Sequence, residues 1–216
     1  MTTLRPHSTI ASMKRRLRVE MKERLAGMSP RTRADKSYAA CRKLTELPEF
    51  VDADVLMMYL PIPQEVDPAE IALHAWQAQK TVVAPKVNWD QHHMLAVRIQ
   101  SLSDDIVTGK FGVPEPAEGP VWPVEDIDLI IVPALAYDRG GARLGRGGGF
   151  YDRLLSEPGA RAITCGLGFS EQLIDKLPAD KHDQPVDILV TDTEVLRFAN
   201  KPGSPGSTRP KEGASG

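Results

Sequence analysis

Cysteine is scarce in this chain. Two residues, Cys41 and Cys165, stand far apart among 216, with neither pairing nor metal spacing. That excludes a disulfide-stapled scaffold and a zinc ribbon, and makes a reducing cytoplasm the expected setting. No apolar run approaches the ~20 residues a membrane helix needs, so no membrane is expected as a partner. The N-terminus has no continuous apolar core ahead of a small-residue cleavage site, so a secretory signal is not expected. A charge excess is also missing: 27 Lys and Arg stand against 29 Asp and Glu, a net charge of −2. Nucleic acid is therefore not an expected partner, since the only basic concentration is the short segment 14–24. The five histidines are scattered. His92 and His93 are adjacent, so on a strand they point to opposite faces and do not share a metal.

What is present fits an ordinary globular protein: 41% hydrophobic and 26% charged residues, in a length that holds one domain with a real core. The charge is uneven, with "MKRRLRVEMKER" basic and 115–128 acidic. Ile10, Met13, Leu17, Met21 and Leu25 recur every three or four residues and predict an amphipathic helix. Gly27 suits its C-cap, and Ser29-Pro30 starts a second helix running to about Leu47. "ADVLMMYL", "TVVAPKV", "HMLAVRIQ", "IDLIIVPALAY", "RAITCGLGF" and "VDILVTDTEVL" read as strands, with a helix after Asp67 between the first two. Residues 103–127 read as mostly loop, and a short helix is expected from about Phe150 to Ser156. Apolar runs alternating with helices predict an α/β fold with a mainly parallel central sheet, helices on both faces and an N-terminal helical pair. Residues 1–8 are expected to be a flexible lead, 9–198 a single domain, and the Gly/Pro/Ser-rich 199–216 a disordered tail.

The most informative stretch is "RLGRGGGFYDRLL", Arg143 to Leu155. It follows the most strongly apolar strand, so it lies at the edge where open α/β sheets bind ligands. Glycines at 145, 147, 148 and 149 let backbone N–H groups converge, and a helix starting just after them adds its positive end. Arg143 and Arg146 bring charge-assisted hydrogen bonds. Asp152, one turn into the helix, is a hard carboxylate suited to Mg²⁺ beside a phosphate. The stretch is neither a Walker A loop, which ends Gly-Lys-Ser/Thr, nor a dinucleotide fingerprint, whose sixth position falls here on Phe150. On these residues alone a glycine-rich surface turn stays open as the alternative.

The stretch resembles the signature of the 5-formyltetrahydrofolate cyclo-ligase family, also called 5,10-methenyltetrahydrofolate synthetases. "KRRLR", "YLPIPQEVDP", "FGVPEP", "DLIIVPALAYDRGGARLGRGGGFYD" and "HDQPVDILVTD" fall in the family's order, from about Met13 to Asp192. The resemblance implies an enzyme that uses ATP as co-substrate and Mg²⁺ to convert 5-formyltetrahydrofolate to 5,10-methenyltetrahydrofolate, releasing ADP and phosphate. It implies that Lys14 and Arg18, one helical turn apart, reach ATP phosphates, while Arg15, Arg16 and Lys22 solvate the helix. Arg143, Leu144, Gly145, Arg146, Gly147, Gly148, Gly149, Phe150 and Tyr151 would wrap the nucleotide. Arg146 would be the catalytic cation and, with Gly147, Gly148, Gly149 and Phe150, would border the formyl group and pterin. Ile62 would pack on the pterin and Asp67 would accept from its donor edge; read without the family, Asp67 is a helix cap. Asp152 and Asp183 would hold Mg²⁺; read without the family, Asp183 is a turn residue. Phe111 would add an aromatic wall. Lys86 would lie near the glutamate tail or a phosphate, or be an ordinary strand-end lysine. Where some relatives carry a lysine this chain has Gly148, and Phe150 stands where tyrosine is frequent.

Small-molecule partners, a monomer and a cytoplasmic place in one-carbon metabolism are the matching expectations. The competing readings are an ATP-independent phosphosugar-isomerase-like enzyme, the same ATP chemistry on another formyl or amide substrate, and a non-catalytic binding module.

Overall fold

A computed structural model describes residues 9–198; the flexible lead expected at 1–8 and the disordered tail expected at 199–216 lie outside the described residues. Two helices lead the chain, α1 (Ile10–Ala26) and α2 (Pro30–Thr45), followed by a short α3 (Pro48–Asp52). The Thr9 side chain caps α1 and Ser29 caps α2, each accepting from the backbone three residues on. Gly27 ends α1 while staying right-handed, at φ −71°. The second helix stops at Thr45 rather than Leu47, and Pro48 opens α3 instead of merely ending α2, because proline fits a first helical turn.

The remainder runs β1 (Val55–Met57), α4 (Ala69–Gln77), β2 (Thr81–Asn88), β3 (His93–Ile99), β4 (Ile106–Thr108), β5 (Pro114–Pro116), β6 (Val121–Trp122), β7 (Leu129–Val132), β8 (Ala136–Asp138), β9 (Arg143–Leu144), α5 (Phe150–Leu155), β10 (Ile163–Leu167), β11 (Leu173–Ile174), β12 (Ile188–Val190) and β13 (Val195–Arg197). Eight strands form the main sheet in the order β13-β12-β10-β7-β1-β2-β3-β6. The five from β12 to β2 are parallel, and β13, β3 and β6 join antiparallel at the edges. A small β11-β8-β9 sheet and the β4-β5 hairpin lie apart from it.

Three segments differ from the sequence reading. "IDLIIVPALAY" is two strands, because Pro133 supplies no ladder donor and ends β7. "VDILVTDTEVL" is β12 and β13, folded back on each other by a turn in which Thr191 N donates to Glu194 O at 2.9 Å. The span 103–127, expected to be mostly loop, also carries three short strands, β4, β5 and β6.

Central strands are buried on both faces, which is why their sequences are nearly unbroken apolar runs. Leu56, Leu129, Ile131, Cys165 and Ile188 pack with Met21, Leu25, Leu44, Phe50 and Ile71 from α1, α2, α3 and α4. Their neighbours Met57, Ile130, Val132 and Leu189 enter the opposite layer with Leu154 of α5. Helices thus cover both faces, unequally. The α1 stripe is shorter than its periodicity predicts: Met21 and Leu25 are buried but Ile10 and Met13 are exposed. In that first half the buried residue is Lys14, because this end of the helix faces a polar site rather than the core. No helix among the described residues is long and apolar enough to cross a membrane.

Candidate active site

The chain reverses direction across the sheet at β1: β2 and β3 lie to one side, β7 and β10 to the other. Such switch points leave a crevice beyond the carboxyl ends of the strands. A cavity of about 480 Å³ opens there, lined by residues that follow β1 (Tyr59, Leu60, Ile62), β7 (Pro133, Ala134) and β9 (145–151).

The glycine loop forms one wall. Gly147 sits at φ +111° and Gly149 at φ +68°, values that L side chains rarely adopt. Gly148 has an ordinary φ, but a Cβ there would lie 2.8 Å from the Phe150 ring, so this position resists a side chain for want of space. The α5 helix that follows has only six residues and no side-chain cap. Arg18 reaches across from α1, its Nε donating to Gly145 O at 2.9 Å. Arg146 Nε donates to Glu65 Oε1 at 3.0 Å. Arg153 Nη2 holds Gly148 O at 2.7 Å while its Nε holds His92 O at 2.6 Å, tying the loop to the β2–β3 turn.

The carboxylates are paired with cations. Arg143, nearly buried, donates through Nη2 to Asp152 Oδ1 at 2.7 Å, and Gln184 N reaches the same oxygen at 3.1 Å. The 180s segment thereby meets α5, so the fold does bring Asp152 and Asp183 to one cavity. Lys14 Nζ binds Asp183 at 2.5 Å and Asp180 at 2.9 Å. Burial by itself would lower the Lys14 pKa, but the hydrogen bonds and charges of Asp183 and Asp180 outweigh it and hold the ammonium above its ordinary value. Glu65 runs the other way: burial raises its carboxyl pKa, and Arg146 offsets that only in part. The Arg143 Nε and the Tyr151 hydroxyl are buried at the wall without a hydrogen-bond partner, and burial pushes the phenol's pKa up.

No group of three or more His, Cys, Asp or Glu side chains among the described residues is arranged to hold a metal. Asp152 and Asp183 have the chemistry for Mg²⁺ in the form that ion prefers, one or two carboxylates completed by substrate phosphates and water, but both oxygens of Asp183 accept from Lys14 here, so Lys14 would have to turn to a phosphate first. Both contacts to Asp152 engage Oδ1 alone, so Oδ2 is the oxygen suited to that role.

Lys14, Arg18, Ile62, Arg143, Leu144, Gly145, Arg146, Gly147, Gly148, Gly149, Phe150, Tyr151, Asp152 and Asp183 all line the cavity. Asp67 does not: it is exposed, and its Oδ1 accepts from Ala69 N at 3.0 Å, the local turn that starts α4. Lys86 is also absent from the wall, because β2 alternates and Pro85 and Val87 take the inward positions. Phe111 lies on the 3₁₀ turn Lys110–Gly112, and its side chain is outside the described residues. Sequence reasoning missed Glu65, Trp89 and Arg153. Trp89 packs edge-on against Phe150, ring centroids 5.3 Å apart, and Arg153 lies over the same ring at 5.0 Å. The loop strap of Arg153 was legible only as "YDR" inside a helix, and Trp89 only as a lone aromatic in the turn "NWDQHH".

A crevice at the sheet's switch point, lined by the glycine loop and by Lys14, Arg18 and Arg146, defines the chain as an α/β enzyme with a small-molecule site. Its particular kind follows from a family comparison. The model of the 5-formyltetrahydrofolate cyclo-ligase family matches residues 10–192, and the chain belongs to that family. The mouse 5-formyltetrahydrofolate cyclo-ligase is 30% identical over 189 residues, covering 83% of this chain and 93% of the relative. The solution structure of Aquifex aeolicus 5,10-methenyltetrahydrofolate synthetase superimposes with a TM-score of 0.77 at 32% identity, covering 93% of this chain and 98% of that one. The Mycoplasma pneumoniae synthetase, at 23% identity and a TM-score of 0.68, shares the fold. The enzyme is a cyclo-ligase of folate chemistry.

Proposed function

We propose that this enzyme converts 5-formyltetrahydrofolate to 5,10-methenyltetrahydrofolate with consumption of ATP and release of ADP and phosphate. The observation that carries this reading is the glycine loop, ringed by Lys14, Arg18 and Arg146 at the mouth of one cavity. A formamide is a poor electrophile and its oxygen a poor leaving group. Moving the γ-phosphoryl group onto the formyl oxygen makes an imidate-like phosphate; N10 of the same folate then attacks the formyl carbon and gives up its proton, and phosphate departs with that oxygen and takes up the proton. Both reacting groups belong to one molecule, so positioning and charge stabilisation are the protein's main tasks.

In this scheme the amides from Gly145 to Gly149 grip the phosphates, and Lys14 and Arg18 complete the grip from α1. Arg146 stabilises charge on the transferring phosphoryl group. Asp152 and Asp183 hold Mg²⁺; the chemistry that ion supplies when bound is neutralisation of phosphate charge. Ile62 and Phe150 wall the folate ring. Gly148 removes the lysine that some relatives place there, which puts more of the charge stabilisation on Arg146.

The test is to mix pure enzyme with 5-formyltetrahydrofolate and Mg²⁺, with and without ATP, following the methenyl product's near-ultraviolet absorbance and ADP release together. Product and ADP should appear in equal amounts and only with nucleotide. Turnover without ATP, or ADP formation uncoupled from methenyl product, would overturn the proposal.

A further inference from the structure

We propose that Arg153 is a positioning residue: from outside the cavity it fixes the Gly148–Gly149 peptide of the glycine loop and locks the β2–β3 turn against it. The consequences for nucleotide binding rest on the ring-closing reading above. Arg143 and Arg146 pair with carboxylates. Arg153, on the exposed side of α5, gives its donors to two main-chain carbonyls instead. One belongs to Gly148 and the other to His92, 61 residues back along the chain. Nη2 and Nε lie on one edge of a planar guanidinium, so a single rigid group sets the spacing of both carbonyls. The main chain adds to the hold, since Arg153 N donates to Gly149 O at 3.1 Å.

A trans peptide sends its C=O and its N–H to opposite sides. Anchoring Gly148 O on Arg153 therefore turns the Gly149 N–H away from Arg153. Gly149 lines the cavity and Arg153 does not, so the anchored peptide keeps its donor for the cavity. A Cβ on Gly149 would lie 3.1 Å from Arg153 Nη1, and glycine there leaves the guanidinium its room. The turn on the other side needs a clamp. His92 adopts φ +49°, a strained conformation for a residue with a side chain, and the same turn carries Trp89 to the cavity wall. Phe150 joins the two segments. Arg153 lies 5.0 Å from its ring centroid, Trp89 meets it edge-on at 5.3 Å and His92 at 6.3 Å. Arg153 thus couples the loop backbone to the aromatic wall without touching the cavity itself.

Two measurements test this. The first needs no turnover: backbone ¹⁵N heteronuclear NOEs of Gly148, Gly149, His92 and His93 in ligand-free enzyme. In the wild type they should match those of β7. In Arg153→Ala both segments should fall together, with β7 unchanged and the melting temperature lowered by no more than a few degrees. A loop already mobile in the wild type, or NOEs unchanged in Arg153→Ala, would overturn the proposal. The second is calorimetric titration with Mg²⁺ and a non-hydrolysable ATP analogue. Arg153→Ala should weaken binding by about tenfold to ~100-fold, the scale of one hydrogen bond to a charged group. NOEs that fall with binding intact would make Arg153 a brace for the turn and would sink the idea as well. Arg153→Lys separates geometry from charge. It keeps a cation near Phe150 but puts one nitrogen in place of the guanidinium edge, so its affinity should stay within about threefold of Arg153→Ala. Wild-type affinity in Arg153→Lys with loop NOEs still low would reduce Arg153 to a charge and refute positioning. A wild type that fails to bind the analogue would refute the nucleotide reading, while the NOEs would still decide whether Arg153 orders the loop.

Discussion

At the residue scale, the carboxylates of this site do two things at once, and mutations must be chosen accordingly. Asp152 is the proposed Mg²⁺ ligand, but it also pairs with Arg143, whose side chain is 3% exposed. Asp152→Ala therefore strands a buried cation. The cost should be on the order of 2–3 kcal/mol, below that of a fully enclosed pair because Asp152 keeps 30% exposure. Asp152→Asn keeps an acceptor opposite Arg143. It should hold most of the melting temperature yet lose ATP-dependent turnover, as read by thermal melts beside the absorbance assay; wild-type turnover in Asp152→Asn would rule out the metal role. Glu65 gives a pH signature. Its folded pKa lies above the unfolded 4.5, so the folded state holds this proton more tightly than the unfolded chain. Wild-type stability relative to Glu65→Gln should therefore decline as pH rises from about 4.5 through the folded value, then level off. Urea melts of both proteins at successive pH values would measure it, and a flat difference would contradict the burial of this carboxylate.

At the element scale, the glycine loop functions through its backbone. A Cβ on Gly147 would lie 3.6 Å from Arg18, ordinary contact, so space is not what requires glycine there. The φ of +111° is, at about 1–3 kcal/mol for a side-chain-bearing residue. The exposed tip should relieve that strain by shifting rather than by unfolding. Gly147→Ala should thus raise the ATP requirement by tenfold or more while lowering the melting temperature by a few degrees; an unchanged KM for ATP would remove the loop from nucleotide binding. The elements themselves were read from periodicity with uneven success. Helices α1 and α2 and the central strands followed from apolar spacing and from Ser29-Pro30. The breaks at Pro133 and Thr191 escape a reading by apolar runs, although each carries a local mark: a proline without a ladder donor, and the polar turn Thr191-Asp192-Thr193. Lys86 and Asp67 show a related limit: the alternation of β2 puts Pro85 and Val87 on the cavity wall in place of Lys86, and Asp67 accepts from Ala69 N in a local turn; a motif match carries no direction.

At the scale of the whole molecule, both thiols lie in the core, Cys41 and Cys165 each at 0% exposure. Burial pushes Cys41 up to about 12 and Cys165 higher still, so neither is a thiolate at neutral pH. Native enzyme should resist a thiol reagent at pH 8 and release two equivalents of colour once urea unfolds it; rapid native labelling would mean the sheet opens locally. Sequence alone determined the α/β class and the placement of a glycine loop after the most apolar strand, because periodicity and motif spacing are local properties that survive without coordinates; the family came from the resemblance of its motifs and the family model that matches 10–192. Tertiary structure alone decided that Lys14 meets Asp183, that Arg143 is committed to Asp152, and that Glu65 grips Arg146. Those partners lie from 9 to 169 residues apart, and only the order in which strands stack about β1 sets which distant side chains share a cavity.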